Sequence, residues 1–161
     1  MNTWTSAGRI FFAIGIAGIG VLHFFYPGIR PIIIPELTGV RSFIPYCIAV
    51  LLMGAGVLIA IGKRYSNLSL LMGILFFLLF LFGHLPRFLS AGSFNNYWVN
   101  LNKVLALSGG FLVISTINPP KQRHKLMELA ARTGSLGKYL FAIMLFNFGV
   151  GHFNNLEGIS I

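Results

Sequence analysis

His23, His84 and Arg87 ask for a chemical explanation, because each sits inside or at the edge of a long apolar run. An ionisable side chain at membrane depth costs free energy and is by default a candidate functional group. His84 and Arg87 stand three apart in His84-Leu-Pro-Arg87, which puts them on one helix face. Trp98 and Lys103 follow soon after, among Asn95, Asn96, Asn100 and Asn102. His23, His84, Arg87, Trp98 and Lys103 together make a candidate cofactor-binding pocket beneath one membrane face. Imidazole, guanidinium and ammonium groups there could hydrogen-bond the oxygens of a quinone or another small lipophile. Neutral imidazole is also a standard axial ligand, so His23 and His84 could hold a haem, although nothing else in the chain selects haem. Pro86 frees a backbone carbonyl that Asn102 or Lys103 could satisfy.

Each of these residues also has an ordinary structural use. Histidines at helix ends make local hydrogen bonds, Arg87 and Lys103 can snorkel, and Tyr97 and Trp98 suit an interfacial aromatic belt. No catalytic constellation is visible: Glu36, Glu128 and Glu157 are scattered, and no nucleophile has an adjacent base. No metal-ligand spacing occurs. The single cysteine, Cys47, makes no internal disulfide and reads as a small buried apolar residue.

The elements that position these groups follow from the spacing of charge. Only 9% of the residues are charged and 56% are hydrophobic, against roughly 25% charged in a soluble domain. A spanning helix needs about 20 apolar residues. Arg9 to Arg30 encloses 20 uncharged residues, Arg41 to Lys63 encloses 21, and Arg64 to Arg87 encloses 22. Lys103 to Lys121 encloses 17, enough if the helix starts near Trp98 and Lys103 snorkels, and Lys138 to Glu157 encloses 18. These runs predict an all-α membrane protein with helices near 7–26, 43–62, 68–89, 98–117 and 138–154. Pro27-Gly28, Pro31, Pro35, Gly92 and Pro119-Pro120 fall between them. Gly15, Gly18, Gly20, Gly54 and Gly56 are expected to let helix backbones approach closely in lipid. The first span ends in His23-Phe-Phe-Tyr-Pro, not in a small-residue cleavage site, which favours an uncleaved helix.

The formal net charge of +9 does not point to nucleic acid, because the twelve Lys and Arg punctuate apolar stretches and do not cluster on one face. It fits basic loops beside a lipid bilayer. With the N-terminus inside, Arg9, Lys63, Arg64, Lys121, Arg123, Lys125, Arg132 and Lys138 are inside and Arg30, Arg41, Arg87 and Lys103 outside. That balance predicts a multi-pass protein with a cytoplasmic N-terminus. It also brings His23, His84 and His152 to the outer side, with His124 in the inner linker. Residues 121–132 read as a short basic amphipathic helix on the inner surface.

A shift of 129 residues aligns the first and fifth spans. Phe12-Ala13-Ile14 matches Phe141-Ala142-Ile143, Gly20-Val21 matches Gly149-Val150, and His23-Phe24 matches His152-Phe153. The expected organisation is a four-helix unit over 1–118, a basic linker over 119–137, and a fifth helix over 138–161 that begins a second, truncated repeat. The chain is then a fragment, has lost a second half, or packs its fifth helix on another copy.

Gly-Val-Leu-His23-Phe-Phe-Tyr-Pro, Ile-Ile-Ile-Pro35, Gly54-Ala-Gly56 and His84-Leu-Pro-Arg87 resemble the DoxX-like family of bacterial integral membrane proteins over about residues 8–117. The resemblance implies a four-helix unit in the bacterial cytoplasmic (inner) membrane. Members of the wider family are associated with thiosulfate:quinone oxidoreductases and redox-stress complexes. The reading that follows is a membrane subunit or quinone-binding component of a redox system, working with a redox partner protein or as a homo-oligomer. The alternative is a non-catalytic scaffold or assembly factor. A small transporter ranks last, because acidic coupling residues are missing from the spans.

Overall fold

A computed structural model describes residues 3–26, 33, 43–62, 65–91, 96–119, 124–125, 128 and 131–154. Five helices in it are long and apolar enough to cross a membrane. They are α1 (Thr3–Phe25), α2 (Ile44–Ile61), α3 (Tyr65–Ala91), α4 (Asn96–Ile117) and α5 (Gly137–Asn154), the last entered through a 3-10 turn at Arg132–Leu136. No strand occurs among the described residues. The protein is therefore an all-α, multi-pass membrane protein. Helices suit this setting because each satisfies its own backbone hydrogen bonds where no water can.

The first helix begins at Thr3, four residues before the expected start, and the 3-10 turn Arg132–Leu136 ahead of α5 lies inside the expected linker. Of the stretch expected to form a basic surface helix, Lys125 and Glu128 are helical, and Glu128 N–H donates to the His124 carbonyl at 2.9 Å. Residues 121–123, 126–127 and 129–130 lie outside the described residues, as do Arg30, Glu36, Pro27-Gly28, Pro31 and Pro35.

Neighbouring helices run antiparallel, and small residues set how closely they approach. A Cβ on Gly20 would stand 2.8 Å from the Ala49 carbonyl oxygen, and one on Gly56 would stand 2.7 Å from that of Ala13. Those two glycines let α1 and α2 touch backbone to backbone, the arrangement that favours association in lipid. Gly15, Gly18 and Gly54 have open space where a Cβ would be and hold nothing together. Between α3 and α4, Ser66 Oγ donates to the Ser115 carbonyl, Ser108 Oγ donates to the Gly73 carbonyl at 2.9 Å, and Phe76 stacks on Phe111 at 5.6 Å. The fifth helix packs on α4 through Gly109 and Gly137, each within 3 Å of the other's carbonyl if it carried a Cβ. Higher up, Asn147 Nδ2 donates to Asn102 Oδ1 at 3.0 Å, a polar clasp across the same pair. Phe12 reaches from α1 to meet Phe111 edge-on at 5.2 Å, which ties the first helix pair to the second.

Arg9 does not lie in an inner loop. It sits in α1, 8% exposed. Its Nη1 donates to the carbonyls of Ile59 and of Ala60, the latter at 3.0 Å, and its guanidinium lies 5.3 Å over the Tyr65 ring. A helix leaves its last carbonyls without intrahelical partners, and its C-terminus carries partial negative charge. Arg9 answers both at the end of α2. Gly62 closes that helix at φ +80°, where glycine is favoured, and its N–H bonds the Leu58 carbonyl. Cys47 is exposed on α2, not buried, and faces where lipid would be.

Candidate functional site

The end of the bundle opposite Arg9 carries the C-terminal turn of α1, the second half of α3, the start of α4 and the end of α5. His23, His84, Trp98 and His152 all lie there, so the alternation of helix direction gathers them at one end, as the charge spacing predicts. It does not gather them into one pocket.

Pro86 shapes the α3 contribution. It has no N–H to give the Phe82 carbonyl, and the helix widens just before it into a π segment, Leu79–His84, with Leu85 N–H bonded to the Phe80 carbonyl. Asn102 does not fill the gap, since its Nδ2 donates to the Trp98 carbonyl at 2.9 Å. The widened turn leaves His84 2% exposed, with Nε2 donating to the Ile33 carbonyl at 2.9 Å. Ile33 is itself fully buried in the core between the helices. His84 therefore fastens Ile33 to the bundle. That bond leaves only Nδ1 to ligate, and His84 does not line the cavity that His23 lines, so the two histidines are not brought together around a haem.

A cavity of about 760 Å³ lies elsewhere, between α1 and α5 above α4. The α1 wall is Phe12, Gly15, Ile16, Ile19 and His23. Lys103 and Leu107 rise from α4, and Ile33 closes one side. The opposing wall is Phe141, Met144 and Phe148 of α5. Exposed Gly15, Leu22 and Phe141 border it, so it opens sideways between the two helices. A volume of this size is in the range of small-molecule sites, roughly 300–1,000 Å³, and the mix of apolar walls with a few polar groups is typical of them.

The repeat reappears in this cavity. Phe12, Gly15 and Ile19 line it from α1, and the residues 129 later, Phe141, Met144 and Phe148, line it from α5. Even the histidines share a local bond: His23 Nδ1 donates to the Ile19 carbonyl at 2.9 Å, and His152 Nδ1 to the Phe148 carbonyl at 3.0 Å. Their surroundings differ. His152 is exposed, whereas His23 is 9% exposed, lines the cavity, and has a buried Nε2 with no hydrogen-bond partner among the described residues.

Of the five candidate residues, His23 and Lys103 line the cavity. His84 stands behind Ile33, touching the cavity only through that residue. Trp98 packs edge-on against Phe148 at 5.3 Å and buttresses the α5 wall, with Gly151 leaving room for its ring. Arg87 is half-buried on the turn after His84 and does not reach the lining; its carbonyl accepts from Ser90 Oγ at 2.9 Å. Tyr26, Phe141, Met144 and Phe148 are lining residues that sequence reasoning missed. The repeat carried the signal for the α5 side, because each pairs with or follows a position on the α1 face. Among the described residues no group of three or more His, Cys, Asp or Glu is placed to hold a metal ion. No protein-family model, curated protein or solved structure matches the chain.

Proposed function

We propose that the chain is a DoxX-like protein of a bacterial cytoplasmic membrane, N-terminus inside, that holds a quinone-type lipophile between α1 and α5 as a membrane subunit of a redox system. One observation carries this reading: a cavity of about 760 Å³ with apolar walls that opens sideways between α1 and α5 and has His23 and Lys103 among its lining residues. Lys103 offers hydrogen-bond donors to a headgroup oxygen in an otherwise apolar wall. The sideways opening supports entry from the bilayer, where such lipophiles are dissolved. The excess of basic residues assigned to the inner loops supports the orientation, and the motifs around His23 and His84 support the family.

The test is to purify the protein in mild detergent and analyse an organic extract for quinones, with His23→Ala alongside. Near-stoichiometric quinone in the wild type and its loss from the variant are the expected results. A wild-type sample that neither carries quinone nor takes it up overturns the proposal and leaves a scaffold for a partner protein as the better reading.

A further inference from the structure

We infer that the outer face of α5 is a docking surface for a transmembrane helix of the α2 kind, supplied by another membrane protein. The internal repeat indicates what covers this face. On α1, Arg9, Ala13, Ile16, Gly20 and His23 are buried, and Arg9, Ala13 and Gly20 of this set touch α2. The residues 129 later on α5 are Lys138, Ala142, Leu145, Gly149 and His152. Gly149 is half-buried and the other four are exposed. A Cβ on Gly20 would stand 2.8 Å from the Ala49 carbonyl oxygen, whereas one on Gly149 would meet nothing within 4 Å. The contact of α5 with α4 uses a different face, through Gly137 and Gly151, whose α1 counterparts Gly8 and Leu22 are exposed. One sequence pattern is thus used on opposite sides. The first helix holds α2 and leaves its other face open; the fifth holds α4 and leaves the α2 seat open.

The seat specifies its occupant. Ala142 and Gly149 stand where Ala13 and Gly20 let α2 approach, so a helix with small residues at the places of Ala49 and Gly56 can come backbone to backbone with α5. Lys138 stands where α1 has Arg9, so a helix antiparallel to α5 would end beside a cation suited to its last carbonyls and to their partial negative charge. Phe146 replaces Ala17, whose Cβ lies 2.8 Å from where a Cβ on Gly56 would be, so the occupant needs glycine at that height. A second copy has no such helix to give, because its own α2 is held by its own α1.

The probe is a synthetic peptide of residues 42–64, which carries α2, with an acceptor dye at its C-terminus. The full chain carries a donor dye on Leu136→Cys, an exposed position, in a Cys47→Ser background. Both are reconstituted in phosphatidylcholine vesicles, and energy transfer is followed as the peptide-to-protein ratio rises. Saturable transfer is expected. Gly149→Leu should weaken it about tenfold, by placing a side chain where the two backbones meet. Gly18→Leu, on the open face of α1, should leave it unchanged. A Cβ meets nothing within 4 Å at either glycine, so both variants keep the fold. Transfer that does not saturate, that survives Gly149→Leu, or that is lost with Gly18→Leu overturns the inference; a peptide that merely displaces α2 from α1 gives the second of these results. Self-association of the full chain that Gly149→Leu abolishes would assign the face to a second copy and overturn it as well.

Discussion

Replacing Arg9 with methionine tests how the inner end of the bundle is held. Methionine keeps the length and apolar stem of arginine and removes the guanidinium. The carbonyls of Ile59 and Ala60 then lose their donor, at about 1–3 kcal/mol each if they stay dry. The lost stacking on Tyr65 adds about 0.5–2 kcal/mol. Opposing these, the variant no longer buries a charge, which in proteins costs several kcal/mol per ion. The C-terminal partial charge of α2 already offsets part of that cost in the wild type. The balance predicts a net destabilisation of about 1–3 kcal/mol, in the ordinary range for a broken buried polar contact. Arg9→Lys should recover only part of this, because a point charge cannot serve both carbonyls and lie flat on Tyr65. The assay is reversible unfolding in mixed micelles, with Tyr65→Leu added to close a double-mutant cycle. Unchanged or raised stability in Arg9→Met would refute the reasoning and show that headgroup water already satisfies the α2 carbonyls. Full rescue by lysine would mean that only the charge matters, as a topological signal.

Gly56→Leu would drive a side chain into the Ala13 carbonyl 2.7 Å from its Cβ and should cost about 1–3 kcal/mol by forcing α1 from α2, whereas Gly54→Leu should cost little; unfolding midpoints distinguish them. Asn102→Leu leaves the Asn147 amide without its partner, and the coupling in an Asn102/Asn147 double-mutant cycle should be about 0.6–1.7 kcal/mol. His84→Ala should release Ile33 from the bundle, read as faster maleimide labelling of Ile33→Cys in a Cys47→Ser background. Because His84 does not line the cavity, the same change should weaken lipophile binding and not abolish it.

The five helices were legible because charge is excluded from lipid, so Arg9, Arg30, Arg41, Lys63 and their like mark the ends of spans almost by arithmetic. Helix packing was legible only in part. Gly20 and Gly56 lie on the α1/α2 contact, while Gly15, Gly18 and Gly54 do not, and nothing in the pattern separates them. In water the buried face of a helix is its apolar face; in lipid both faces are apolar, and that signal vanishes. Arg9 misled for a related reason. Counted as a loop charge, it is a buried cap, and no local motif announces a bond to carbonyls 50 and 51 residues away. At the candidate site, His23 and Lys103 were legible as ionisable groups in apolar runs. The exclusion of His84 was not, because it depends on the π segment before Pro86 and on a long-range bond to Ile33. The apolar α5 wall carries no chemistry of its own, and only the repeat connects Phe141 and Phe148 to Phe12 and Ile19.

The most direct measurement of the central claim is lipophile binding to Gly15→Trp. Gly15 lines the cavity, and a Cβ there meets nothing within 4 Å, so the indole can enter the empty volume without disturbing the α1/α2 contact. Titrated with a short-chain quinone in nanodiscs, the wild type should saturate at one ligand per chain, and Gly15→Trp should keep its helicity and thermal stability yet lose binding. Undiminished binding by a folded Gly15→Trp protein would contradict the account and place the ligand outside the space between α1 and α5.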